Sequence, residues 1–210
     1  MSTAHHHQRL FIDGPAGRLE ALFQPGRLLL PAVVVCHPHP LYGGTMRNKV
    51  VYWIARAFED RGCSVLRFNF RGVERSEGAW ADGEGECEDV LAALRWLAGR
   101  APQSPLWLAG FSFGCYAGLR AAALDARVER MFAVAPAVHL YDFSFLRGDH
   151  RPLTVVQGGA DEIVPFAAVR QWAHTLPQAH FHAVPDAGHF FDGYMEQMTR
   201  LLLSDIPEPA

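Results

Sequence analysis

Apolar residues along this 210-residue chain follow two alternating periods. Short runs dense in apolar and β-branched residues, at 9–14, 18–24, 31–36, 63–70, 106–111, 130–135, 153–157 and 180–184, predict eight strands. Between them apolar residues recur every three or four positions. Val50, Val51, Ile54, Ala57 and Phe58 predict a helix over 46–61 that Gly62 ends, and Val90, Leu91, Leu94 and Leu97 predict one over 86–97. Further helices are predicted over 113–124, 166–176 and 191–203. Gly14-Pro15-Ala16-Gly17 joins the first two strands as a hairpin. The later strands alternate with helices, which implies an α/β class: a mainly parallel sheet with helices on both faces. Such sheets hold their ligands at the carboxyl ends of the strands.

Composition narrows the partners. Half the residues are hydrophobic, a fifth are charged, the net charge is −3, and no basic run exists. Nucleic acid and anionic membrane surfaces are therefore disfavoured. No stretch approaches the length of a membrane span, and the first residues lack the charged-then-apolar order of a leader. The expected organisation is a flexible tail over 1–8, including the histidines His5, His6 and His7, then one domain over 9–206 and a frayed end over 207–210. Cys36, Cys63, Cys87 and Cys115 form no C-x-x-C pair and read as small buried hydrophobes of a reducing cytoplasm.

Chemistry enters at Gly110-Phe111-Ser112-Phe113-Gly114. This is Gly-x-Ser-x-Gly, set where the apolar run 106–109 meets the helical run 116–124. A strand, a sharp turn and a helix in that order expose a serine Oγ and aim the helix's first N–H groups at it. Gly110 and Gly114 are needed because a Cβ there would crowd the neighbouring strand or helix.

A serine hydroxyl needs a base, and the base an orienting carboxylate. Asp161 follows strand 153–157 and His189 follows strand 180–184, giving the chain order Ser112, Asp161, His189. Glu162 competes with Asp161 as the acid; Asp186 reads as a turn residue. His189 is expected to open the last helix. One oxyanion donor is expected from the N–H of Phe113. The other belongs to the loop 37–45, where Pro38 and Pro40 have none to give, so Leu41 is preferred over His39. His37 reads as a local brace of that loop rather than half of a metal pair, and no metal or cofactor is expected. Arg71 either braces loops or binds a substrate carboxylate, with bracing preferred. Carboxylates at Asp82, Glu84, Glu86, Glu88 and Asp89 suit the start of a helix.

With these residues in place the chain resembles the α/β-hydrolase superfamily over nearly its whole length, and in particular its small bacterial branch of dienelactone-hydrolase-like esterases. The stretches that carry the resemblance are His37-Pro-His-Pro-Leu-Tyr-Gly-Gly-Thr-Met-Arg-Asn-Lys-Val-Val51, Arg67-Phe-Asn-Phe-Arg-Gly72, Leu108-Ala-Gly-Phe-Ser-Phe-Gly114 and Asp186-Ala-Gly-His-Phe-Phe191. It implies an eight-stranded, mostly parallel sheet and a metal-free serine hydrolase. Dienelactone hydrolases themselves carry cysteine where this chain has Ser112, so their substrate does not transfer. Only 139–151 separates two strands where many members insert a lid, so a short helix fits there but no cap domain. His39, Tyr42 and Phe190 are candidate substrate contacts; other aromatic residues near loop ends are Trp80, Phe111, Phe113, Tyr141, Phe143 and Phe191.

The expected activity is hydrolysis of a small-molecule carboxylic ester by a monomer or homodimer. A thioesterase or acyltransferase would use the same parts. A non-catalytic ligand-binding protein on this fold would be expected to lack a triad member, and none is missing.

Overall fold

The computed structural model of the protein describes residues 7–206. The histidines His5 and His6 and the end 207–210 lie outside the described residues. Gln8 opens β1 (Gln8–Gly14), which pairs antiparallel with β2 (Gly17–Gln24) through the expected hairpin. The remaining strands are β3 (Ala32–Cys36), β4 (Ser64–Phe68), β5 (Leu106–Phe111), β6 (Val128–Val134), β7 (Leu153–Gly158) and β8 (Ala179–Val184). They form one sheet in the order β1-β2-β4-β3-β5-β6-β7-β8, parallel from β4 onward. The helices are α1 (Lys49–Asp60), α2 (Glu84–Arg100), α3 (Phe113–Leu124), α4 (Phe166–His174) and α5 (Met195–Leu202). No helix among the described residues is long and apolar enough to cross a membrane.

Strand alternation sorts the core into two layers. In β3, Val33 and Val35 face one side and pack with Val50, Ile54 and Phe58 of α1 and Met198 and Leu202 of α5. Ala32, Val34 and Cys36 face the other, with Val90 and Leu94 of α2 and Leu119 of α3. Both faces are covered, so the parallel strands read as continuous apolar runs. Each fully buried Val, Leu or Phe is worth about 1.5–3 kcal/mol of transfer free energy.

The ends of elements depart from the sequence periods where a polar side chain intervenes. α1 starts three residues later than expected because Asn48 Oδ1 accepts the N–H groups of Val50 and Val51, while Met46 N–H is drawn to Asn69 Oδ1 at 2.8 Å. β4 stops before Asn69 because Phe70 N–H leaves the sheet for His37 Nε2. α2 starts early because Glu86 reaches back to the N–H groups of Gly83 and Ala81. α5 starts at Met195 rather than 191, since Phe191 and Gly193 both take positive φ. His189 therefore lies in a loop and does not open a helix. All four cysteines are buried free thiols.

The loop after β4 is tied down by Arg71. Its guanidinium donates to both oxygens of Asp89 on α2 at 2.8–3.1 Å, its backbone N–H adds a further bond to that carboxylate, and Glu88 takes another contact. Asp89 is fully buried. Burial pushes its carboxyl pKa up, against the pull of Arg71. Arg71 thus braces loops, with its Nε and Nη2 both engaged on α2 carboxylates. Removing it strands a buried carboxylate: Arg71→Ala should lose about 3–5 kcal/mol of stability. Urea unfolding measures this, and a loss under 1 kcal/mol would show that the pair is not holding the loop.

Candidate active site

β5 delivers Ser112 to the carboxyl edge of the sheet in a backbone conformation that side chains other than glycine seldom take, φ 54° and ψ −119°. Such a residue costs on the order of 1–3 kcal/mol and persists only where its surroundings dictate it. Here they do. Ser112 N–H donates to Val134 O at 2.9 Å, and its own carbonyl accepts from Cys115 N–H at 3.0 Å. A Cβ on Gly114 would stand 2.5 Å from the carbonyl oxygens of Cys36 and His37, and one on Gly110 equally close to Gly114 O. The turn is therefore pressed between β3, β6 and its own helix. The first N–H groups of α3, at Phe113 and Gly114, have no acceptor within the helix and face the elbow.

β7 and β8, parallel to β5, bring the other two residues to the same edge. Their loops are laced together: Gly159 N–H donates to Val184 O and Ala160 N–H to Ala187 O, and a Cβ at Gly159 would run into Pro185 O. This close approach sets Asp161 Oδ2 2.9 Å from His189 Nδ1, with both side chains buried. Burial works to raise the Asp161 carboxyl, but the His189 ring and the N–H groups of Val164 and Ile163 outweigh it, so the pKa lies below the usual aspartate value. Gln157 Nε2 also donates to Asp161, at 2.9 Å. An ionised Asp161 accepts the Nδ1 hydrogen and leaves Nε2 of a neutral His189 as the basic nitrogen. The ring packs 5.0 Å from Phe111, the residue before Ser112. Glu162 has a different role from that of orienting acid: its Oε2 accepts the backbone N–H of His189 at 3.0 Å. Sequence reading passed over Gln157, whose only mark is a polar residue near the carboxyl end of a largely apolar strand.

The loop after β3 forms the facing wall. Leu41 N–H, the donor preferred from sequence, is occupied by His39 Nδ1 at 3.2 Å. Tyr42 N–H and Gly44 N–H both return to His39 O. The N–H of His39 itself has no hydrogen-bond partner among the described residues. His37 is fully buried, with both ring nitrogens engaged on backbone groups.

Aromatic residues divide around the elbow. Phe111, Phe113, Phe143 and Phe191 are buried core residues. His39 packs on Trp80, Tyr42 and Phe113, and Tyr141 packs on Phe113. Phe190 stands against His189 and Phe111 on the other side. Tyr42 is 86% exposed and Phe190 37%, so both edge the site from solvent. The crossing 139–151 carries only a 3-10 turn, Ser144–Leu146.

The family described as alpha/beta hydrolase fold matches residues 31–149. An uncharacterized protein of Rickettsia prowazekii is 37% identical over 206 residues, 92% of this chain and 86% of that protein. A lidless α/β serine hydrolase of Xanthomonas campestris, known from its crystal structure, is 38% identical and superposes with a TM-score of 0.87 over 95% of this chain and 93% of its own. An α/β serine hydrolase homologue of Coxiella burnetii is also 38% identical, with a TM-score of 0.90 over 98% of this chain and all of its own. A thiohydrolase of Aspergillus aculeatus is 31% identical over 148 residues, 65% of this chain and 45% of that protein.

If the meeting of the two loops holds Asp161 against His189, Gly159→Ala should part them. Stability should drop by on the order of 2 kcal/mol, and the downfield proton signal of a hydrogen-bonded His189 Nδ1–H should vanish from the NMR spectrum. Retention of that signal would show that the close approach is dispensable.

Proposed function

Because this chain belongs to the α/β-hydrolase fold family, we propose that it is a serine hydrolase of carboxylic esters, working through Ser112, His189 and Asp161. The observation that carries this is the buried 2.9 Å bond between Asp161 and His189, whose ring lies 5.0 Å from that of Phe111, the residue before a serine held at positive φ. Ser112 Oγ attacks the acyl carbonyl as His189 Nε2 takes its proton. Asp161 holds the tautomer and stabilises the imidazolium. The N–H groups of Phe113 and His39 bind the oxygen that becomes negative. His189 then gives its proton to the leaving alcohol, and an acyl-Ser112 ester remains. Water attacks that ester while His189 accepts its proton. The carboxylic acid departs and the serine is restored.

The same steps cleave a thioester, and the likeness to the Aspergillus thiohydrolase supports that as the second reading. A thiolate leaves more readily than an alkoxide, so the ratio of rates on matched esters and thioesters separates the two. The reading with no lid over the site rests on the short 139–151 crossing and leaves the serine open to water. Four unpaired buried thiols support a reducing compartment.

Ser112→Ala should lower kcat by roughly 10⁴-fold or more, and a fluorophosphonate probe should label the wild-type protein at Ser112 only. Substantial hydrolysis by the variant would refute the assignment; absence of labelling would favour a binding protein on this fold.

The Asp161 carboxyl is held below its usual range, so it stays ionised as the pH falls through the region where an ordinary aspartate begins to protonate. The carboxylate itself then contributes no loss of activity on acidification through that region. The profile of kcat/KM should show a one-proton acidic limb. A two-proton limb would mean that the carboxylate titrates with it.

A further inference from the structure

We propose that His37 is a positioning residue of the oxyanion hole: its Nδ1–H holds the carbonyl of Pro38 and thereby aims the N–H of His39, in the same peptide unit, at the substrate oxygen. The proposal rests on the serine-hydrolase reading above.

The tautomer follows from the hydrogen bonds. Phe70 N–H donates to His37 Nε2 at 3.0 Å, so that nitrogen carries no hydrogen. The ring hydrogen sits on Nδ1 and goes to Pro38 O at 2.6 Å. Complete burial lowers the His37 pKa to about 3, which keeps this neutral form through the working pH range. The Pro38–His39 peptide is planar and trans, so its C=O and N–H point to opposite sides. Fixing the oxygen fixes the direction of the N–H.

That N–H is left without a hydrogen-bond partner among the described residues. Pro38 and Pro40 have none, and the N–H groups of Leu41, Tyr42 and Gly44 are all turned back onto His39. The His39 ring is wedged 4.5 Å from Trp80 and 5.0 Å from Phe113, whose own N–H is the other proposed donor. The His37 carbonyl presses on Gly114 in the first turn of α3. A donor already oriented before the reaction loses nothing to reorganisation when charge develops.

Two substitutions split the two ends of the ring. Asn puts an amide N–H near the place of Nδ1, while Gln puts an oxygen near the place of Nε2. His37→Gln keeps the acceptor for Phe70 and loses the donor to Pro38; kcat should fall about 100-fold with little change in KM. His37→Asn keeps the donor and should retain kcat within about tenfold, even though Phe70 N–H loses its acceptor and Tm falls. The reverse order, with kcat following Tm, would overturn the proposal. A second readout uses the wild-type protein, so it does not depend on either variant folding. In ¹⁵N-labelled protein, forming a phosphonyl adduct on Ser112 should move the His39 amide proton downfield. An adduct that leaves His39 unmoved overturns this proposal alone. No adduct at all overturns the serine-hydrolase reading and this proposal with it.

Discussion

The rest of the site depends on one crowded contact, the seat of the turn after β5. Ser112 sits at φ 54° because the carbonyls of β3, the end of β6 and the first turn of α3 leave it no other place. A relaxed turn would let the chain spread, and the serine would sink toward its helix. The cost of the strained residue is met by packing on both faces of the sheet, where Phe111 and Phe113 lock the flanks as fully buried side chains. The same crowding brings the start of α3 against the loop after β3. Two amides from distant parts of the chain then stand at one edge.

Around that seat the loops are fastened by buried polar groups whose partners are backbone atoms or carboxylates. His37 joins the end of β4 to the loop after β3. Asn69 joins Met46 to Glu20 and Glu74, and Arg71 joins its loop to α2 through Asp89. Each group is too deep to leave unpaired without a penalty of a kcal/mol or more. Loops that are short, stapled and uncovered can hold a reactive geometry with no lid above them. The polar residues of these loops therefore act as scaffold around Ser112, His189 and Asp161.

Much of this was legible in the chain. The eight strands, the hairpin and the five helices follow from apolar periods, because a sheet covered on both faces demands apolar runs and its helices demand one apolar stripe each. The errors cluster at element ends, where polar side chains or backbone conformation intervene. Asn48 delays α1, Glu86 advances α2, and the positive φ of Phe191 and Gly193 postpones α5. A single side chain that captures one or two backbone N–H groups outweighs the weak preference that a period expresses there. Reading Arg71 as a brace was right because a carboxylate waited on the next helix. The preference for Leu41 over His39 took no account of the His39 ring, because no periodicity reveals that this ring reaches the Leu41 N–H.

By itself the sequence determined the kinds of element, their order, the glycine-flanked serine turn and the positions of Asp161 and His189 after later strands. These are local properties, set by side-chain period, glycine spacing and turn chemistry. Tertiary structure alone decided which groups meet. Asp161 and His189 touch because two loops approach to glycine distance, Glu162 is diverted to a backbone N–H, and the amides of Leu41, Tyr42 and Gly44 fold back on His39, whose own N–H has no partner among the described residues. Contacts of that kind depend on the directions of N–H and C=O groups brought together across the sheet, and those directions exist only once the chain has folded.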